Sequence, residues 1–154
     1  MKIYTLHRKQ FLPIGLQTAW DFFSSPKNLG EITPKHMNFT IVSQSGGDKM
    51  HEGQIINYKI TVLPLIRVTW VTEITSVNNL VSFTDEQRVG PYAQWHHTHT
   101  FIEKDGGVEM TDEVKYAIPL GYLGRLANWL FVGREVNRIF DHRFQVLAAF
   151  FRNS

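Results

Sequence analysis

Three of the seven histidines in this 154-residue chain lie within four positions, in the stretch QWHHTHT, as His96, His97 and His99. Imidazole changes charge near neutral pH, donates or accepts a proton, and binds metal ions. Two aspartates, Asp85 and Asp112, stand in the segments before and after this stretch. What these groups can do depends on which of them share one face of a sheet.

The segment 107–118 alternates between polar and apolar residues, which indicates a strand with one solvated face. The polar positions on one side are Glu109, Thr111, Glu113 and Lys115. The positions on the other side are Val108, Met110, Asp112, Val114 and Tyr116. The second set should face the interior, which makes Asp112 a carboxylate among apolar neighbours.

Short turns on either side of QWHHTHT set how it pairs. The glycine turn before 107–118 places His99 opposite Asp112, within reach across neighbouring strands. The Gly-Pro turn on the other side places Asp85 opposite, or diagonal to, His97. The side chains that face inward in this register are Trp95, His97, His99 and Phe101. Those that face solvent are His96, Thr98 and Thr100.

The inward patch has three interpretations. His-x-His with Asp85 or Asp112 supplies enough ligands for a metal, but the same groups form ordinary buried ion pairs, so no metal and no other cofactor is expected. Asp–His pairs are also the parts of acid–base catalysis. The chain has no cysteine and no G-x-S-x-G motif, so a nucleophilic mechanism has no support. If the protein is an enzyme, the acid–base groups are His97, His99, Asp85 and Asp112.

The favoured interpretation is a binding site for a hydrophobic or amphipathic small molecule. Aromatic and aliphatic side chains with a few convergent polar groups are the general form of such a site. The polar patch would take the ligand's head, and the rings and Met110 its body. The predicted ligand-binding residues are Phe83, Asp85, Gln87, Trp95, His97, His99, Phe101, Met110, Asp112 and Tyr116.

Composition excludes several classes of function. The chain is 43% apolar and 19% charged, as expected of a soluble globular protein, and its formal charge is only +2. Its basic residues are scattered, which supports neither a nucleic-acid nor a membrane-surface role. Without cysteine there is no disulfide framework and no thiolate zinc site. The N-terminus has neither a signal peptide nor a membrane span, so a cytoplasmic location and no stable membrane insertion are expected.

Hydrophobic periodicity predicts seven strands and three helices. The predicted strands are 2–11, 38–43, 53–63, 67–77, 80–88, 92–104 and 107–118. The predicted helices are 16–24, a short one from Pro26 ended by Gly30 and Pro34, and a long one over 121–151. The turns between the strands, among them Leu63-Pro64-Leu65, are short, which indicates an antiparallel meander.

The long helix should bury one apolar stripe against the sheet. The stripe consists of Val136, Phe140, Phe144, Leu147 and Phe151. The arginines assigned to the solvated face are Arg125, Arg134, Arg138, Arg143 and Arg152. Trp70 is interpreted as core. The run Trp129, Leu130 and Phe131 packs in part, and one or two of its members could cap a cavity mouth or form a contact in a homodimer.

The element order and a set of residues resemble a bacterial ligand-binding branch of the SRPBCC, or START-like, superfamily, which includes birch-pollen-allergen-like proteins and polyketide cyclases. The first group of matching residues is Phe83, Asp85, Gln87, Gly90-Pro91, Trp95, His97, His99 and Phe101. The second group is Met110, Asp112, Val114, Tyr116, Pro119 and Leu123-Gly124. The resemblance covers essentially the whole chain.

The resemblance implies an α+β helix-grip fold over a single domain, 1–154. About seven strands would form a curved antiparallel sheet wrapped around the long C-terminal helix, with two short helices after the first strand. It also implies a cavity between sheet and helix that holds a lipid, sterol, quinone, polyketide or hormone. The expected function is binding in that cavity; the alternative is an acid–base enzyme of the cyclase, dehydratase or isomerase type.

Overall fold

A computed structural model of the protein describes residues 1–63 and 65–152. Seven antiparallel strands form one sheet in the order β1-β7-β6-β5-β4-β3-β2. The strands are β1 Tyr4–Leu12, β2 Thr40–Gln44, β3 Ile55–Leu63, β4 Ile66–Asn78, β5 Ser82–Val89, β6 Gln94–Lys104 and β7 Gly107–Ala117. All seven predicted strands are confirmed within two residues at each end. The predicted turn at Leu63-Pro64-Leu65 includes Pro64, which lies outside the described residues.

Four register shifts among the described strands bend the sheet, and two of them show the pattern. The register of β3 against β4 shifts between Thr61 and Leu63, and the register of β4 against β5 shifts between Ile74 and Ser76. Such bulges add a residue to one strand and increase its local twist. The sheet therefore curls, and its inner face has room for the helices.

Three short helices follow β1. The first is α1, Leu16–Phe23, close to the predicted span. The second is a 3₁₀ helix, Pro26–Ile32, which begins at Pro26 as predicted; it continues past Gly30 and ends before Pro34, so of the two predicted stop residues only Pro34 marks its end. A further 3₁₀ turn, Lys35–Met37, has no counterpart in the prediction.

The C-terminal helix is continuous but has three parts. They are α2 Gly121–Ala127, a π-helical turn Asn128–Val132 and α3 Gly133–Phe150. The predicted long helix is confirmed, whereas the π turn is additional. A Cβ built on Gly133 would stand 3.1 Å from the Asn128 carbonyl oxygen, so a glycine at the end of the π turn avoids crowding that carbonyl. Within the described chain, none of the helices is both long and apolar enough to cross a membrane.

The face that α3 turns toward the sheet differs from the prediction at one position. Its buried residues are Val136, Phe140, Arg143 and Leu147. Phe144 is 42% exposed, so its assignment to the buried stripe is wrong. Steps of four, three and four residues keep positions 136, 140, 143 and 147 on one side of the helix, and position 144 lies about 100° away from 143. An arginine therefore occupies a core position of the helix.

Candidate ligand-binding site

A cavity of about 210 Å³ lies between the sheet and α3. Its walls come from β3 to β6, the end of α1, the two 3₁₀ helices and α3. Most of the lining is apolar; it includes Ile56, Ile60, Trp70, Ile74, Phe83 and Phe140. Four ionisable side chains, Asp85, His97, His99 and Arg143, share one part of the wall. The cavity thus has an apolar body and a polar patch.

The strand register brings the predicted histidines and aspartates together. Asp85 stands opposite His97 between β5 and β6, and His99 stands opposite Asp112 between β6 and β7. Both pairings agree with the sequence prediction. His97 and His99 are buried, as expected for the inward face of β6.

The shortest hydrogen bonds run diagonally across this register. His97 Nε2 donates to Asp112 Oδ1 at 2.8 Å, and His99 Nε2 donates to Asp85 Oδ2 at 2.7 Å. His99 Nδ1 also lies 3.2 Å from Asp112 Oδ1, without good hydrogen-bond geometry. His97 Nδ1 lies 3.9 Å from Asp85 Oδ2. Each histidine is therefore held between both carboxylates.

Stacking fixes the two imidazole rings. The ring centroids of His97 and His99 are 3.7 Å apart at an interplanar angle of 28°. Phe83 stacks on the other face of His99 at 4.1 Å, and Phe140 of α3 meets His97 at 5.5 Å. The cluster is thus positioned by three strands and clamped by the helix.

Arg143 completes the cluster from α3. Its Nη2 lies 3.6 Å from Asp112 Oδ1, and both side chains are nearly fully buried. The guanidinium also sits over the rings of Phe23 and Phe140, with centroids 5.6 and 5.7 Å away. The assignment of Arg143 to the solvated face of the helix is therefore wrong. Its spacing from Phe140 and Leu147 is the sequence signal that could have revealed its inward direction.

Burial and nearby positive charges shift the pKa values of the two aspartates in opposite directions. Burial raises the pKa of Asp112, but Arg143, the hydrogen bond from His97 and the close approach of His99 outweigh it and hold that pKa well below its usual value. Burial also raises the pKa of Asp85, but His97 and His99 outweigh it and lower the pKa overall. Both carboxylates are therefore ionised at neutral pH.

The two histidines differ in their tendency to be protonated. Burial lowers the pKa of His97, and the neighbouring His99 lowers it further, against the pull of Asp112. Burial also lowers the pKa of His99, but its contacts with Asp112 and Asp85 outweigh burial and raise the pKa overall. Two imidazoles stacked this closely resist carrying two charges. When His99 is protonated, its imidazolium and the Arg143 guanidinium balance the two carboxylates.

Five of the ten predicted ligand-binding residues line the cavity: Phe83, Asp85, Trp95, His97 and His99. The other five lie outside its lining: Gln87, Phe101, Met110, Asp112 and Tyr116. Asp112 lies behind the histidines, where it bonds His97 and faces Arg143. It supports the polar patch without reaching the cavity.

The remaining four have other partners. Gln87 donates to the Tyr92 carbonyl at 2.7 Å and accepts from the Tyr92 amide at 3.1 Å, so it closes the β5–β6 connection. Phe101 packs edge-on against Trp20 at 5.5 Å, and Met110 belongs to the closed core. The Tyr116 hydroxyl donates to the side-chain oxygen of Asn128 at 3.0 Å.

Other lining residues were not among the predicted ones. Trp70 is buried, as interpreted, but it also lines the cavity. Ile139 and Phe140 line it from α3. The run Trp129 to Phe131 does not. The lining from β3, β4 and α3 depends on how the sheet curls, which alternation within one strand does not reveal.

Asp85, His97 and His99 also have the spacing of a metal site. One ligand atom from each lies within 4.8 Å of the others. A metal bound there would replace the His99–Asp85 hydrogen bond and require both imidazoles to be neutral. The set could hold a divalent cation with nitrogen and oxygen ligands, yet the same atoms are already paired with one another.

Solved structures of other proteins share this fold. No protein-family model and no curated protein matches the sequence. Protein Ms6760 from Mycobacterium smegmatis superposes with a TM-score of 0.65 at 19% identity, covering 95% of this chain and 92% of that one. Major latex-like protein 151 from Panax ginseng gives 0.66 at 10% identity, covering 97% of both. The di-domain ARO/CYC protein StfQ of the steffimycin biosynthetic pathway gives 0.71 at 12% identity, and the match covers 97% of this chain and 51% of StfQ.

At sequence identities this low, the comparisons show a shared fold and no more. A seven-stranded curved sheet with a long C-terminal helix, and short helices after the first strand, is shared across nearly the whole of this chain. The predicted α+β helix-grip fold is thus confirmed. The chain has the architecture of the START-like proteins that its sequence resembles.

Proposed function

We propose that this protein binds a hydrophobic or amphipathic small molecule, such as a lipid, quinone or polyketide, in the cavity between its sheet and its C-terminal helix. The observation that carries the proposal is the composition of the cavity wall. Aliphatic and aromatic side chains surround most of the space, and Asp85, His97 and His99 meet at one part of it. A wall of this kind binds an apolar body and orients one polar group.

The fold comparisons support the same class of function. The di-domain ARO/CYC protein StfQ, from the steffimycin biosynthetic pathway, has this architecture over the 51% of its chain that is matched. The polar side chains at this part of the wall, Asp85, His97 and His99, suit a ligand that carries one polar head group. Apolar walls discriminate weakly between similar skeletons, so the head is the part of the ligand that this site selects.

Filling the cavity tests the proposal. Ile139→Trp adds an indole to the cavity wall from α3, and we expect it to weaken binding of the fluorescent fatty acid cis-parinaric acid by roughly tenfold or more. Phe144→Trp places the same ring five residues further along, on the exposed side of the helix, and should leave affinity unchanged. Titrations followed by fluorescence compare the two. Equal affinities in both variants would contradict binding in this cavity.

A second function has one specific observation in its favour. Two stacked histidines on the cavity wall have pKa values shifted in opposite directions, which is how paired acid and base groups are set. In an acid–base enzyme of the cyclase, dehydratase or isomerase type, protonated His99 would donate and neutral His97 would accept.

Turnover separates the two functions. If the site is catalytic, His97→Gln and His99→Gln should each lower turnover of a polyketide-like carbonyl compound by roughly 100-fold or more, with probe affinity kept within a few-fold. Chromatography of the reaction mixture measures this. Retained ligand with no conversion by the wild-type protein would leave binding as the function.

A further inference from the structure

The first part of the C-terminal helix turns its large apolar side chains toward solvent. Seven of them, each between 43% and 83% exposed, form what we term the apolar face: Leu120, Tyr122, Leu123, Leu126, Trp129, Leu130 and Phe131. A contiguous exposed surface of this kind usually marks a site of interaction with a protein or a membrane. None of these residues lines the cavity.

The packing of α2 explains why the large residues point outward. Gly124 is the buried residue of this helix, and a Cβ built there would stand 2.2 Å from the Pro119 carbonyl oxygen. The helix therefore lies against the preceding segment by its smallest residue. Positions 122, 123, 126, 129 and 130 have the spacing of one helical stripe on the other side. This helix therefore differs from an ordinary amphipathic surface helix, because its large apolar side chains face solvent and its smallest residue faces the protein.

The charges around the apolar face have one sign. Between Lys115 and Glu135 the only charged residues are Arg125 and Arg134. The Arg125 guanidinium lies over the Tyr122 ring, 5.0 Å from its centroid, and Arg134 donates to the Leu130 carbonyl. Among the described residues neither arginine has a carboxylate within ion-pair distance. Both cations are left for an external anion.

This combination identifies the occupant. A second copy of the chain would bring two sets of arginines together with no acid on either face to pair them. A lipid surface offers an apolar interior for leucine and phenylalanine, an interfacial layer for tryptophan and tyrosine, and anionic headgroups for arginine. We propose that the apolar face docks on the surface of an anionic bilayer. The contact is peripheral, because a helical segment this short cannot span the hydrocarbon core.

Vesicle binding tests this proposal independently of any ligand. The wild-type protein should float with vesicles that contain phosphatidylglycerol, and brominated phosphatidylcholine in those vesicles should quench its tryptophan emission. We expect Leu123→Ser/Trp129→Ser to reduce partitioning roughly 30-fold or more. Both side chains are largely exposed, so the melting temperature should stay unchanged. Arg125→Gln/Arg134→Gln should cut partitioning roughly tenfold, and only for anionic vesicles.

The matched control removes exposed apolar side chains elsewhere. Val42 and Ile102 are 55% and 52% exposed on other parts of the sheet, so Val42→Ser/Ile102→Ser should change partitioning by about twofold at most. Absence of wild-type flotation or quenching with anionic vesicles would overturn the proposal. So would concentration-dependent dimerisation that the Leu123→Ser/Trp129→Ser variant abolishes without any vesicle binding, since it would assign the face to a second copy.

Discussion

Asp112→Asn is expected to lower the free energy of unfolding by about 3–5 kcal/mol at neutral pH, the cost of breaking a buried charge network. Asp112 is 4% exposed. It accepts from His97 Nε2 at 2.8 Å and lies 3.6 Å from Arg143 Nη2. An amide in its place still accepts the hydrogen bond but leaves a buried guanidinium without its nearest counter-charge. Denaturant unfolding of the purified variant measures the loss.

Two companion variants make this result specific. Glu113→Gln lies on the solvent side of the same strand and should change stability by no more than about 0.5 kcal/mol. Combining Asp112→Asn with Arg143→Met removes both charges, so the double variant should lose less than the two single losses together. A loss below about 1 kcal/mol for Asp112→Asn would show that the network does not hold the fold.

The same variant should change how stability responds to acid. The pKa of Asp112 is depressed in the folded protein, so its contribution is complete above the unfolded value of about 3.9 and is lost as pH falls through the folded pKa. Asp112→Asn should lack this loss on the acid side. Unfolding curves at mildly acidic and strongly acidic pH compare the two proteins.

The inward direction of the polar side chains could be predicted from the sequence, because period-two alternation and turn length together fix which face of the sheet each side chain occupies. One residue of slip in either hairpin would have turned His97 and His99 to solvent, and the polar positions of β7 excluded that slip. The strand register does not predict which carboxylate accepts the hydrogen bond from each imidazole. His97 stands opposite Asp85 yet bonds Asp112, since the ring reaches diagonally across the pleat.

The burial of Arg143 was not predicted, because an arginine side chain is expected to be exposed to solvent. A buried arginine needs an anion, and that anion, Asp112, belongs to a strand more than thirty residues earlier in the chain. The exclusion of a membrane-surface role rested in the same way on the net charge of the whole chain. The arrangement of Arg125 and Arg134 around an exposed apolar stripe is local, and total charge does not report it.

The protonation of the cavity wall should set the pH range of ligand binding. Below the raised pKa of His99 the cluster is balanced, and above it the two carboxylates outweigh Arg143, so the wall becomes negative. We expect the affinity for cis-parinaric acid, whose head is anionic, to fall about tenfold or more as pH rises through that pKa. Histidine NMR shifts should place the pKa of His99 above about 6.5 and that of His97 below it.

Asp85→Asn should move this transition. Asp85 accepts from His99 Nε2 at 2.7 Å and is one of the two carboxylates that raise its pKa. With an amide there, the fall in affinity should occur at a lower pH, whereas His99→Gln should remove the pH dependence altogether. His96→Gln, on the solvent side of the same strand, should leave the profile unchanged. Fluorescence titrations across mildly acidic to basic pH measure all four proteins. A profile that Asp85→Asn and His99→Gln both leave unaltered would mean that the cluster holds β5, β6 and β7 together without contacting the ligand.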